Sequence, residues 1–363
     1  MDDLSAFSAK AGIATERLSA LASGAEATLG ELRRIAIALG VPIISFAAEP
    51  TEERSKLLFR RATVAGKALP QVTLDHLSGK LDASLKVLRQ QPASGPIWWR
   101  EHFDIGPQDR RTAELHAARF REVFFSGDQL GPLHSLPQIV ADRMGVLLFV
   151  TRSADFDGAS ALLDGTAFVF VSARFRPRML FTLAHEIGHL VAHHDAGEPF
   201  AVIDEDVEDR STRRTDQERY ANYFASALLM PAQGFAIALK KVREVAGTSR
   251  REVGDLEISL LARIYGVSFW AAALRSEALS LIPRGGAAAL NEKLNKAHGS
   301  AEKRAEEVGL PPRAEIIFPP VPQPLLQSAV EKIRAGELSL GRAAALLELS
   351  ISDLMTANAP TAH

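Results

Sequence analysis

His185-Glu186-Ile187-Gly188-His189 carries the clearest chemistry in the chain. At about 3.6 residues per turn, two histidines four residues apart lie only about 40° apart around a helix. Both imidazoles can then reach one ion, which is the logic of the H-E-x-x-H pattern. Glu186 stands beside them, where a carboxylate can take a proton from water polarised by that ion. The flanks, Phe181-Thr182-Leu183-Ala184 and Leu190-Val191-Ala192, are apolar. A buried helix with two histidines and a glutamate carries a desolvation cost that a metal relieves.

A catalytic zinc takes a third protein ligand and keeps a fourth position open. Four side chains are candidates: Glu218, Asp195, His193 and Asp216. Glu218 opens a helical run with Asn222 one turn on. One face of that helix then offers a carboxylate to the metal and an amide that can fix an imidazole tautomer from behind. Asp195 stands where H-E-x-x-H-x-x-G-x-x-[HD] enzymes keep their third ligand, but Ala192 replaces the chain-turning Gly. His193 continues the series, yet one straight helix cannot wrap three turns around a tetrahedral ion, so it is assigned to supporting the ligands or to solvent. Asp216 precedes the helix. Glu218 is therefore preferred, with Zn2+ the expected ion and Mn2+ the alternative.

The elements that must position these residues can be read in outline. Residues 136–144 have helical spacing, Gly145 stops them, and 146–150 is a short apolar run. Residues 159–163 and 167–172 are strand candidates flanking Asp164-Gly165, a hairpin signal. A long helix is expected over 181–194. Residues 195–215, with acidic 204–209 followed by Arg210, Arg213 and Arg214, read as a mobile surface loop. A helix resumes over 218–229, stops at Pro231, and 235–282 reads as helical throughout. Upstream, 50–125 has a helical pattern broken by Pro70, Pro92, Pro96 and Pro107. Gly285-Gly286 and the proline run 311–324 predict a linker, followed by a last helical unit over 325–357.

Composition bounds the function. The 363 residues hold 42 Lys+Arg against 44 Asp+Glu, so no global basic field draws the chain to nucleic acid. The absence of cysteine excludes disulfides, thiolate metal sites and a thiol nucleophile. No run of about 18 uncharged apolar residues exists, so no membrane span is expected. No export signal is apparent at the N-terminus, and a cytoplasmic location is expected.

Several separated blocks recur in a known order. They are Asp157-Gly158-Ala159, the 181–190 segment around His185 and His189, Glu218-x-x-Ala221-Asn222-x-Phe224-Ala225 with Leu228-Leu229-Met230-Pro231, and Leu261-Ala262-x-x-Tyr265-Gly266-Val267-Ser268. Over residues 125–285 the chain resembles the ImmA/IrrE family of zinc metallopeptidases. The resemblance implies an α+β, mostly α fold: a minimal zincin-like peptidase domain with a small β-sheet. It implies His185, His189 and Glu218 as ligands and Glu186 as general base. Members of this family cleave, or promote cleavage of, helix-turn-helix repressors in stress, phage, mobile-element or toxin–antitoxin circuits. Many members carry a second Glu just before the Ala-Asn pair, where Tyr220 stands here. A Tyr220 or Tyr223 phenol in the cleft could stabilise an oxyanion; core packing is the plainer role.

Residues 1–48 resemble an XRE-type helix-turn-helix that lacks its first helix. Thr28 and Glu31 have capping-box spacing. Thr15, Glu16 and Arg17 would face a major groove. Yet residues 1–50 hold Lys10, Arg17, Arg33 and Arg34 against Asp2, Asp3, Glu16, Glu26, Glu31 and Glu49. Phosphate binding needs cations, so dimerisation or docking competes with DNA binding as the role of this unit. The expected organisation is 1–48 helix-turn-helix-like, 49–124 helical connection, 125–284 metallopeptidase, 285–323 linker and 324–358 a second helix-turn-helix-like unit. The expected function is a metalloendopeptidase that regulates transcription by cutting a partner helix-turn-helix repressor. Its rival is a DNA-binding regulator or antitoxin-like module whose metal is structural or sensory. DNA and a second copy of the chain are the other partners considered.

Overall fold

The computed structural model describes residues 7–8, 10–22, 25, 27–39, 55, 58–59, 69–88, 97–104, 106–192, 200–204, 215–247 and 252–358. It divides into two units, Met1–Leu57 and Leu58–His363. In the first, α1 (Thr15–Ala22) and α2 (Leu29–Leu39) enclose a small core of Ala11, Ile13, Leu18 and Ala38. The capping box forms: the Glu31 amide donates to Thr28 Oγ1 at 3.2 Å, and the Thr28 amide donates to Glu31 Oε2 at 2.8 Å. Two orphan donors of the first turn are thereby satisfied.

In the second unit, α3 (Gln71–Leu88), α4 (Arg110–Phe124) and α5 (Leu136–Asp142) precede the sheet. The strands are β1 (Leu147–Thr151), β2 (Gly158–Leu163), β3 (Thr166–Ser172) and β4 (Phe200–Asp204). Between β3 and β4 runs α6 (Arg176–Ala192). After β4 come α7 (Asp216–Leu229), α8 (Ala232–Ala246), α9 (Asp255–Tyr265) and α10 (Phe269–Ala278). The chain ends with α11 (Gly286–His298), α12 (Ala301–Glu307), α13 (Gln323–Arg334), α14 (Leu340–Leu347) and α15 (Ile351–Asn358).

The sheet runs β1-β3-β2-β4, parallel between β1 and β3 and antiparallel elsewhere. The β2–β3 hairpin turns on Asp164 and Gly165, both left-handed at φ 50° and 73°. That is the backbone a two-residue hairpin of this hand requires. Side chains alternate between two cores. Leu148, Leu162, Val169 and Val171 join the layer of α4, α6 and α7, whereas Leu147, Phe149, Ala161, Phe168 and Phe170 join α3 and the C-terminal helices. Helices thus cover both faces, which is why the strands are apolar on both sides. α6 lies between the sheet and α7 and is buried all round, as a helix without a polar stripe must be.

Three expectations are corrected. The long helix starts at Arg176 rather than at 181 and is described as far as Ala192; residues 193 and 194 lie outside the described residues. The stretch 195–215 contains β4, because Phe200–Asp204 finds a partner in β2. The stretch 285–323 holds α11 and α12. Gly285 and Gly299 adopt left-handed conformations that cap helices rather than loosen the chain. Ala287, Leu294, Ala301, Ile316 and Phe318 from this stretch enter the first core. Arg313 anchors its extended part, donating to Val267 O at 2.7 Å. The C-terminal helices likewise supply Leu325, Ala329, Leu347 and Leu354 to the second core. Among the described residues, no single helix is long and apolar enough to cross a membrane.

Candidate metal centre

The site is built where α6 passes the end of β2 and meets α7. His185 and His189 project from one face of α6 with their Nε2 atoms 3.0 Å apart. α7 is fixed at its start by Thr215, whose hydroxyl accepts from the Glu218 amide at 3.2 Å. That cap sets Glu218 in the first helical turn. Its carboxylate oxygens lie 3.4 Å from each histidine Nε2. The two helices can approach this closely because Gly188 faces Ala221. A methyl group at Gly188 would lie 3.0 Å from Ala221 Cα and 3.2 Å from Phe224 Cδ1.

A fourth donor comes from β4. Asp204 Oδ2 is 3.2 Å from His185 Nε2 and 3.4 Å from His189 Nε2. His185, His189, Asp204 and Glu218 each offer a ligand atom within 4.8 Å of the others. Donors about 2.0–2.1 Å from one tetrahedral ion sit about 3.3–3.4 Å apart, which the imidazole–carboxylate spacings of 3.2–3.4 Å match. The backbone of Asp204 is held as well: its carbonyl accepts from the Asp157 amide at 2.7 Å. Asp157 in turn is buried and bound by Arg178 Nε of α6 at 3.0 Å.

Glu186 points the other way from α7, at the β2–β4 edge. Gly158 pairs with Asp204 across that edge. A methyl group on Gly158 would run into the Glu186 carboxylate. The strand therefore needs glycine there to admit the carboxyl.

Electrostatics favour a cation in this pocket. Burial would lower the His185 pKa, but the Asp204 and Glu218 carboxylates outweigh it and raise it to about 9. Burial and the neighbouring Asp204 push Glu186 well above the ordinary carboxylate range. Asp204 is held well below that range by His185 and His189, against its burial. His185 Nδ1, both Glu186 oxygens and Asp204 Oδ2 are buried with no hydrogen-bond partner. Of these, Asp204 Oδ2 faces both imidazole Nε2 atoms, and a buried carboxylate oxygen so placed is costly unless an ion engages it. Two imidazoles and two carboxylates are a donor set that fits a divalent metal.

The other anticipated residues are placed elsewhere. Tyr220 is buried, and its hydroxyl meets His116 Nδ1 of α4 at 2.5 Å. Tyr223 is exposed and borders a surface hollow with Asp216 and Arg219. Neither phenol belongs to the ligand cluster, because helical periodicity turns both away from the face that carries Glu218. Asn222 Nδ2 donates to the Glu218 carbonyl at 2.9 Å rather than to an imidazole. His193 lies outside the described residues, as does Asp195. In the N-terminal unit, Thr15 and Glu16 open α1, while Arg17 Nε donates to Glu31 Oε1 at 2.7 Å. Asp204 is the donor that sequence reasoning missed. The short apolar run Phe200-Ala201-Val202-Ile203 just before it was the available signal for a strand.

A buried helix bearing H-E-x-x-H, a carboxylate from a second helix and a small mixed sheet define a metallopeptidase-like domain. Residues 141–277 match the family model of the IrrE N-terminal-like domain, a peptidase family. No curated protein matches the chain significantly.

Proposed function

We propose that the chain is a cytoplasmic Zn2+-dependent endopeptidase whose substrate is a partner helix-turn-helix repressor. The observation that carries the peptidase reading is Glu186. A purely structural metal needs ligands only, and has no use for a further buried carboxyl beside them. An ion in this site would supply Lewis acidity to water and to a substrate carbonyl. Glu186 Oε1 and Oε2 then stand where one can accept a proton and later return it to the leaving nitrogen. His185, His189 and Glu218 would hold the ion in place, and the dry surroundings would strengthen each electrostatic contact. The choice of substrate is supported by the family resemblance and by the helical N-terminal unit. With Arg17 engaged by Glu31, that unit is assigned to docking a protein rather than to reading DNA.

One observation favours a second reading. Four protein donors form a closed set, as structural zinc sites do, which suits a regulator whose metal is structural or sensory. Glu186→Gln separates the two. On the peptidase reading it keeps stoichiometric metal, while cleavage of the co-expressed repressor falls about 10²–10⁴-fold. Mass spectrometry of the repressor and metal analysis of the purified protein report the two quantities. Undiminished regulation by the Gln variant would favour the second reading.

A further inference from the structure

The site as folded is shut. The side chains of His185 and His189 are 0% exposed, Asp204 is 8% and Glu218 is 20%. Glu186 is also wholly buried, with both oxygens sealed from solvent. No peptide can reach a base in that state. The cover is β4, which supplies Asp204 and forms the outer edge of the sheet beside β2.

We propose that β4 is an internal inhibitor: Asp204 fills the coordination position that a catalytic site keeps open, and residues 200–204 occupy the lane of an extended substrate. This rests on the metallopeptidase reading and deepens it. Three observations converge. First, Asp204 Oδ2 is as close to the two imidazoles as Glu218 is, at 3.2 and 3.4 Å. Geometry makes it a full ligand rather than a neighbour. Second, Asp204 stands on the same side of the strand edge as the base: its partner in β2 is Gly158, where a Cβ would fall on the Glu186 carboxylate. A carboxylate held there resembles the carboxylate product of peptide hydrolysis. Third, β4 runs antiparallel to β2 over Gly158–Leu162, with Gly158 opposite Asp204 and Ser160 opposite Val202. Extended peptides bind exposed sheet edges by this same pairing, and lifting β4 would free the edge of β2.

β4 is suited to leaving. It is five residues long, and its first three are only partly buried. The neighbouring strands β2 and β3, by contrast, are buried nearly throughout. A substrate strand that pairs with β2 displaces the backbone of β4 and the Asp204 carboxylate together. Opening and substrate binding are then one event, and the substrate residue opposite Gly158 is brought before Glu186. Peptides without extended structure, or partners unable to compete for the edge, leave the site closed.

The test uses the full chain loaded with Co2+, with acetohydroxamate as probe of an open position on the metal. In the Asp204→Ala variant the hydroxamate shifts the visible cobalt spectrum. In the unaltered protein its apparent affinity is at least about tenfold weaker, because only the open fraction binds. Hydrolysis of a quenched peptide rises in the same variant. Asp204→Asn, which keeps the side-chain volume, changes both readouts in the same direction and guards against a folding defect. Val202→Pro, which weakens the pairing with β2 without touching the ligands, also opens the site to the probe. Equal hydroxamate binding by the unaltered protein and by all three variants would overturn the closure alone. Failure of the unaltered protein to take up cobalt would remove the metallopeptidase reading and the closure with it.

Discussion

At the scale of single residues, the site is defined as much by what is missing as by what is present. Gly158 has no side chain where Glu186 needs room, and a Cβ there would also lie 2.6 Å from Thr182 Cγ2. Gly158→Ala is expected to leave His185, His189 and Glu218 in place but to displace the Glu186 carboxylate. A misplacement of about 1 Å can cost about 10²-fold in rate. Metal stoichiometry should therefore hold while kcat/KM drops, as measured on a peptide substrate. A variant with unchanged kcat/KM would show that Glu186 is not positioned by β2. His185, Glu186 and His189 were legible in the sequence because helical spacing alone brings them together. Glu218 was legible because it opens the helical run 218–229 with Asn222 one turn on, on the same face. Asp204 was not, because its place depends on pairing with a strand more than 40 residues earlier. Its acidic neighbours disguised it as part of a solvated run.

At the scale of elements, the N-terminal unit offers a pH test with a clear sign. Arg17, and then Thr28, pull the Glu31 pKa down to about 2. A lowered carboxylate pKa adds stability above the ordinary value and loses it on protonation. Protection of α2 amides should thus be full near neutrality and decline as pH falls from about 4 towards 2. Thr28→Ala removes the partner of the Glu31 amide and should cost α2 about 1 kcal/mol at neutral pH. Hydrogen exchange on residues 29–39 of the full chain measures both, and unchanged protection in the variant would dismiss the cap as a stabilising feature. The same scale shows where pattern reading failed. Residues 285–323 carry the glycines and prolines of a linker, yet those glycines sit at helix ends and the prolines leave Ile316 and Phe318 free to be buried. Punctuation marks boundaries in the chain, and tertiary burial decides whether the pieces between them are ordered.

At the scale of the whole molecule, the candidate metal ligands come from layers that are distant in sequence: α6 from the core, β4 from the sheet edge and α7 from the flank. Binding of an ion to the folded state alone stabilises it by mass action, by about 2.7 kcal/mol at a hundredfold excess over Kd. Chelation with EDTA should lower Tm by several degrees, and Zn2+ should restore it; a Tm indifferent to EDTA would mean that no ion bridges these layers. The C-terminal helices belong to the same ledger of burial. Leu325, Ala329, Leu347 and Leu354 cover the sheet face that includes Phe168 and Phe170. The α+β, mostly helical architecture was visible in the order of periodic segments. That the terminal helices cap the sheet was not, since any amphipathic hairpin has the same pattern whatever it covers.

The close passage of α6 over α7 at Gly188 has a consequence for which ion the protein prefers. The span between the imidazoles and the Glu218 carboxylate is dictated by how near two helix backbones can come, not by the ligands themselves. Gly188→Ala would wedge the pair apart by a few tenths of an ångström, given the 3.0 Å approach to Ala221 Cα. Competition between Zn2+ and the larger Cd2+ should then tilt towards cadmium. A residue that never touches the ion would be acting as its caliper.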